Sequence, residues 1–168
     1  MSKRRKWPLK GWHKRFFVME QGVLTYGKTK TDIMRGRTLG IVGFGRIGQA
    51  LAKLAIGAGM EVVFSDMHND NIDVALEFFD GQSLSFTCKN VGLEGVLAQS
   101  DFISLHVPMP KDGNAIIGNN EFEKMKDGVR IVNAARGGVI DEKALINALD
   151  SNKVSFAALD VFVGEPKP

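Results

Sequence analysis

Apolar and polar positions change period several times along this chain, and each change marks an element. Leu39, Ile41 and Val42 form a short apolar run of the kind buried on both faces of a parallel sheet, and Ile47, Leu51, Leu54 and Ala58 then recur at helical spacing. Glu61 to Phe64 reads as a second strand ending in Ser65-Asp66, Asn71 to Phe79 as a short helix, and Ser83 to Thr87 alternates as a strand should. Leu93 to Gln99 predicts a helix. Phe102 to Val107 predicts a buried strand stopped by Pro108, whose missing N–H suits a strand end. A short helix over Glu121 to Lys126, a strand over Val129 to Val132, and a helix capped by Asp141 with Ala144, Leu145, Ala148 and Leu149 on its inner face follow. Val154 to Val163 reads as the last strand. Strands alternating with helices from residue 38 onward predict an α/β fold around a parallel sheet. Earlier, Phe16 to Val18 and Val23 to Tyr26 flank Glu20-Gln21-Gly22, a β-hairpin signal. The chain therefore divides into a basic hairpin segment, 1–37, and an α/β domain, 38–168.

The junction between the first α/β strand and its helix carries the first chemistry. Gly43, Gly45 and Gly48 fall at the spacing G-x-G-x-x-G directly after a predicted strand and at the start of a predicted helix. The first glycine permits the turn, the second lets backbone approach a pyrophosphate, and the third lets helix pack on sheet. Free N–H groups and the macrodipole at that helix start suit an anion. Asp66 stands 18 residues beyond Gly48, near where a carboxylate reaches the two hydroxyls of an adenosine ribose. An acid there disfavours a 2′-phosphate, so NAD is expected over NADP. The expected architecture is a Rossmann-type doubly wound parallel sheet, truncated at its C-terminal end, with an N-terminal β-hairpin. A sheet lacking its last strand exposes an edge, which predicts a homo-oligomer through that edge.

At 168 residues and 44% hydrophobic content the chain can close one core, and no apolar stretch reaches membrane-spanning length. The single Cys88 excludes an intrachain disulfide framework and a cysteine-based metal site, so no metal and a reducing, cytoplasmic setting are expected, with Cys88 a buried strand residue. The net charge of +3 conceals an asymmetry: residues 1–37 hold eleven Lys/Arg against Glu20 and Asp32, a balance of +9, whereas the remainder carries −6. Residues 3–15 interleave that basic charge with Trp7 and Trp12, which suits a polyanion; an anionic lipid is the expected partner, a solvated arm the alternative, and nucleic acid is not expected.

Near the end of the chain, Asn133-Ala-Ala-Arg-Gly-Gly138 brings one arginine to a strand's carboxyl end. A guanidinium grips a carboxylate through two parallel hydrogen bonds, so Arg136 suits a 2-oxo or 2-hydroxy acid. His106, inside an apolar strand, is expected to be packed and hydrogen-bonded and not a catalytic base.

Two resemblances add to this. The run Lys6-Trp7-Pro8-Leu9-Lys10-Gly11-Trp12-His13-Lys14-Arg15-Phe16-Phe17 resembles the opening of a pleckstrin-homology domain of oxysterol-binding-protein-related proteins, which implies phosphate contacts for Lys6, Lys10, Lys14 and Arg15. From about Gly36 to the chain end, Leu105-His-Val-Pro108, Met125-Lys126, Asn133 to Gly138, Leu159-Asp-Val-Phe162 and Glu165-Pro166 resemble the nucleotide-binding domain of D-isomer-specific 2-hydroxyacid dehydrogenases, most like the 3-phosphoglycerate dehydrogenases. The resemblance implies that Arg46 and Ile47 help bind the pyrophosphate, Asp66 the ribose, and that Val107, Ala134 and Ala135 line the cofactor cleft. It assigns Asp160 to the nicotinamide carboxamide, Arg136 to the substrate and Glu165 to a catalytic histidine. That family places the histidine after the Glu-Pro step and adds a substrate domain, whereas the histidines here are His13, His68 and His106. Hydride transfer between NAD and a 2-hydroxy or 2-oxo acid such as 3-phosphoglycerate is thus the expected chemistry, with turnover by this chain alone expected close to nothing. The alternative is a non-catalytic module that binds NAD or a phosphoinositide-bearing, anionic membrane.

Overall fold

A computed structural model of the protein describes residues 34–67 and 70–164 in full, and the backbone of 16–20 and 23–27. The basic run 3–15, His68 and Glu165 lie outside the described residues. Strands β1 (Phe16–Glu20) and β2 (Val23–Gly27) pair antiparallel as a two-stranded sheet, the hairpin read from their β-prone runs.

The larger sheet has seven strands: β3 (Thr38–Val42), β4 (Glu61–Ser65), β5 (Ile72–Glu77), β6 (Ser83–Asn90), β7 (Phe102–Leu105), β8 (Val129–Asn133) and β9 (Val154–Leu159). Their spatial order is β5-β6-β4-β3-β7-β8-β9, parallel throughout except for β5 on β6. Without β5 this is the 3-2-1-4-5-6 order of a doubly wound dinucleotide-binding sheet, whose switch point lies between β3 and β7. Helices α1 (Arg46–Gly57), α2 (Gly92–Gln99), α3 (Asn119–Lys124) and α4 (Glu142–Asp150) make the connections. Among the described residues β9 is paired on one side only, by β8.

Strand parity sorts the core into two layers. Leu39, Ile41, Val62 and Phe64 pack with Ala52 and Ala55 of α1, and the rings of Phe44 and Phe64 stack with centroids 3.9 Å apart. Val42, Val63, Ile103, Leu105 and Ile131 pack with Val96 of α2, Phe122 of α3 and Leu145 of α4. On the α1 side, among the described residues, the layer is incomplete over β8 and β9. Val132 and Phe156 remain exposed there, and the Arg130 guanidinium lies 5.0 Å from the centre of the Phe102 ring.

Local signals bound the helices, and the Asp141 cap is as expected. Gly59 at φ +80° follows α1, and the N–H groups of Gly59 and Met60 return to the carbonyls of Ile56 and Ala55, the paired bonds of a glycine-closed helix end. Asp141 caps α4 by accepting the Lys143 and Ala144 amides at 2.9 and 3.1 Å.

The last strand ends at Leu159 and not at Val163 as read from sequence, and one predicted element is overturned outright. Asn71 to Phe79 is not a helix, because Ile72, Val74 and Leu76 alternate with Asp73, Ala75 and Glu77 at a period of two, and a turn at Phe78 to Gln82 folds them back onto β6. That turn is held by Gly81 at φ +83° and by the Gln82 amide donating to Asp80 at 3.1 Å. β6 accordingly runs on to Asn90, past the Thr87 read from sequence, and buries Cys88 as expected.

At the opposite, amino edge, Asp101 ties three strands together. Its carboxylate accepts the Thr38 amide at 2.9 Å, its own amide donates to the Thr38 carbonyl at 2.9 Å, and its carbonyl accepts the Arg130 amide at 3.1 Å. Burial pushes this carboxyl up, but the Thr38 amide, Lys126 at 3.5 Å and Arg37 at 3.6 Å outweigh it and hold the group below its ordinary value. The stabilisation is present above the unfolded-state pKa and disappears as pH falls through the folded one. Asp101→Ala should therefore lower unfolding stability at neutral pH by about 2 kcal/mol, with the gap to wild type closing in acid below 3.8, as read by urea unfolding. A gap that is absent at neutral pH, or unaltered in acid, contradicts this role.

Candidate functional site

The carboxyl edge of the sheet is shaped by the exit from β3. Gly43 sits at φ +93° and donates its amide to the Ser65 carbonyl at 2.8 Å. A methyl group on it would lie 2.5 Å from the His106 carbonyl and 2.8 Å from a Val107 methyl, so the exits of β3 and β7 touch backbone to backbone at the switch point. Gly48 has the same constraint one helical turn later, where a side chain would strike the Gly43 carbonyl. Gly45 differs, because nothing lies within 4 Å of where its side chain would be. It is the N-cap of α1, no side chain caps that helix, and no acid stands in its first turn. The amides of Arg46, Ile47 and Gly48 thus begin a helix whose end is left to open space, with both flanking side chains exposed. Such a cradle fits a pyrophosphate.

Asp66 stands beside it. Its Oδ2 accepts the Phe44 amide at 2.6 Å, and its carbonyl accepts the Asn90 side-chain amide at 3.1 Å. The Gln49 side chain adds a bond to the Phe44 carbonyl at 3.0 Å. The spacing argument found Asp66 but not its hold on the glycine turn, nor Asn90, which ends β6 and reaches across to it.

Two strands from β3, Asn133 ends β8, buried, and shapes the arginine turn. Its Oδ1 accepts the Ala135 amide and its Nδ2 donates to the Arg136 carbonyl, both at 3.0 Å, while its own carbonyl accepts the Asp160 amide at 3.0 Å. Ala134, Ala135 and Arg136 are thereby set at the carboxyl end of β8, and Asp160 at that of β9. The Arg136 guanidinium is exposed and donates to the Ala135 carbonyl at 2.6 Å. β4 and β8 are three strand spacings apart, so Asp66 and Arg136 stand on the order of 14 Å from each other along the same edge. Beyond Arg136 an open cleft of about 860 Å³ is lined by Met109, Gly137, Gly138, Glu142, Phe162 and Val163.

His106 lies one residue past the end of β7, not inside the strand, and is half-buried and hydrogen-bonded as expected. His106 Nε2 lies 2.9 Å from Ser104 Oγ, and burial lowers its pKa, so the ring is neutral near pH 7. Cys88 is held as a thiol by burial and, secondarily, by Asp73. Among the described residues no three His, Cys, Asp or Glu side chains group as metal ligands, and no helix is long and apolar enough to cross a membrane.

A family model described as the NAD binding domain of D-isomer specific 2-hydroxyacid dehydrogenases matches residues 12–168. The chain belongs to this family. It is 45% identical over 131 residues to a hydroxypyruvate reductase of Thermotoga maritima, covering 78% of this chain and 39% of that protein. It is 43% identical over 133 residues to a D-3-phosphoglycerate dehydrogenase of Archaeoglobus fulgidus, covering 79% and 24%. Among solved structures, a glyoxylate reductase from Paecilomyes thermophila matches with a TM-score of 0.65 at 40% identity, over 80% of this chain and 38% of that one. A D-lactate dehydrogenase from Aquifex aeolicus, complexed with NAD and lactic acid, matches with a TM-score of 0.63 at 37% identity, over 77% and 36%. The chain thus spans at most about two-fifths of the length of these relatives. Its described fold is the family's NAD-binding domain, and NAD is the cofactor that such a domain holds.

For this NAD-binding domain, NMR titration of the His106 ring should give a midpoint below the ordinary 6.5. A midpoint at or above that value would show a ring free to act as a base, contrary to its packing against Ser104.

Proposed function

We propose that this chain is the NAD-binding half of a dehydrogenase acting on D-2-hydroxy acids. The observation that carries the reading is the uncapped start of α1, opening onto free space at Gly45 with the Asp66 carboxylate beside it. In this reading the amides of Gly45, Arg46, Ile47 and Gly48 take the pyrophosphate, for which the absence of a first-turn acid leaves the dipole unopposed. Asp66 takes the ribose hydroxyls and repels a 2′-phosphate. Val107 from the β7 exit and Ala134 and Ala135 from the β8 exit line the cleft between, and Asp160 meets the nicotinamide carboxamide.

Bound NAD supplies the acceptor or donor of the hydride. Arg136 grips the carboxylate of the acid and polarises the neighbouring carbonyl. Relatives named for hydroxypyruvate, glyoxylate and phosphoglycerate share a carboxylate next to an oxygen-bearing carbon, which supports the same class here, 3-phosphoglycerate included. Glu165, beyond the described residues, is assigned to orienting a histidine base. A homo-oligomer through the far side of β9 belongs to the same proposal, since among the described residues that strand is paired by β8 alone.

NADH fluorescence titration tests the reading. Wild type should bind NADH in preference to NADPH, and Asp66→Ala should weaken NADH by about tenfold while narrowing that preference, with the fold checked by circular dichroism. Equal affinity for the two nucleotides in wild type, or an NADH affinity indifferent to Asp66, contradicts it.

A further inference from the structure

Past β9 the chain does not simply leave the sheet. It runs over the turn that carries Arg136, and two independent contacts hold it there. Glu142, the first residue of α4, accepts the Val163 amide on Oε1 at 2.6 Å. Gly137 meets the same segment from below, where any side chain would strike the Phe162 carbonyl and come within 3.3 Å of the Val163 nitrogen. Gly137 is not among the glycines of positive φ, so what excludes a side chain there is this close approach and not backbone conformation. Glu142, Gly137, Phe162 and Val163 all face the open cleft beyond Arg136.

We infer that Glu142 is a positioning residue: by pinning the Val163 amide it holds the segment after β9 against Gly137, and so fixes Asp160 and Arg136 relative to each other at the nicotinamide end of the site. The chain of contacts is short. Arg136 precedes Gly137 directly, Asp160 lies three residues before Val163, and Asn133 joins the two segments through the Asp160 amide and the Arg136 carbonyl. Asn133 fixes the near end of the exit segment and Glu142 fixes its far end, so removing either leaves a lever with one support. A carboxylate accepting a backbone amide is among the stronger single hydrogen bonds, and Glu142 also favours the N-terminus at which it stands. The adenosine end, at Gly43 to Gly48 and Asp66, shares none of these contacts. The inference rests on the assignment of Asp160 and Arg136 proposed above, and its test separates the two ends of the nucleotide.

The experiment compares wild type, Glu142→Ala, Glu142→Gln and Gly137→Ala by amide hydrogen exchange at Val163 and by binding of NADH and of ADP, which carries only the adenosine end. In Glu142→Ala the Val163 amide should exchange about tenfold faster. NADH affinity should fall about fivefold or more while ADP affinity stays unchanged. Glu142→Gln, which keeps an acceptor oxygen, should restore both, and Gly137→Ala should reproduce the alanine variant by displacing the segment from the other side. Val163 exchange indifferent to Glu142 overturns the clamp. NADH and ADP weakened equally overturns its confinement to the nicotinamide end, and no rescue by glutamine overturns the hydrogen bond as its cause. A wild-type chain that binds neither nucleotide overturns the nucleotide reading, while the exchange data still decide the clamp.

Discussion

The contact of Gly43 with the backbone of its neighbours is the constraint on which the rest of the structure depends. Its amide is bound to the Ser65 carbonyl, the His106 carbonyl lies where its side chain would be, and its own carbonyl lies where the side chain of Gly48 would be. Three strand exits and one helix start are therefore drawn within van der Waals distance of a single residue. Any side chain at Gly43 or Gly48 would separate β3 from β7 or lift α1 from the sheet, and the open space at Gly45 would lose the amides that face it. The positive φ at Gly43 adds a backbone reason to the steric one. The anion site proposed at this edge follows from how the sheet closes, and calls on no dedicated cation.

Much of this was legible in the sequence because the signals are local. Gly43, Gly45 and Gly48 announce their roles by spacing, Asp66 by its distance from them, and Asp141 by standing one residue before a helical apolar pattern. The hairpin of β5 and β6 was misread: Ile72, Val74 and Leu76 alternate at a period of two, but the run on into Phe78 and Phe79 also suited the short helix that was expected, and only the pairing with β6 decides for the strand. What could not be read are the contacts made across the sheet. Asp101 looks like any acid at a helix exit until Thr38, 63 residues away, donates to it. Asn133 reads as part of a small-residue turn, although its one side chain builds that turn. Glu142 reads as a first-turn helix acid favoured by the dipole, and its bond to Val163, 21 residues on, has no sequence period to reveal it.

The two ends of the proposed nucleotide site differ in how they are held. At the adenosine end, rigidity comes from glycines packed against strand exits and from a half-buried aspartate that already accepts one amide of the turn. At the nicotinamide end the arginine is exposed, its guanidinium resting on the Ala135 carbonyl, and its placement relies on Asn133 beneath and on the segment after β9 above.

The central claim is that bare amides at the start of α1 receive the pyrophosphate of NAD while the β8 exit receives its nicotinamide end. Titrating the isotope-labelled chain with NAD and following every backbone amide tests it most directly. The account predicts saturable shifts concentrated at Gly45 to Gly48, at Asp66 and at Ala134 to Arg136, with one common affinity. Saturable shifts elsewhere on the molecule, or none at the amides of Arg46 and Ile47, would contradict it.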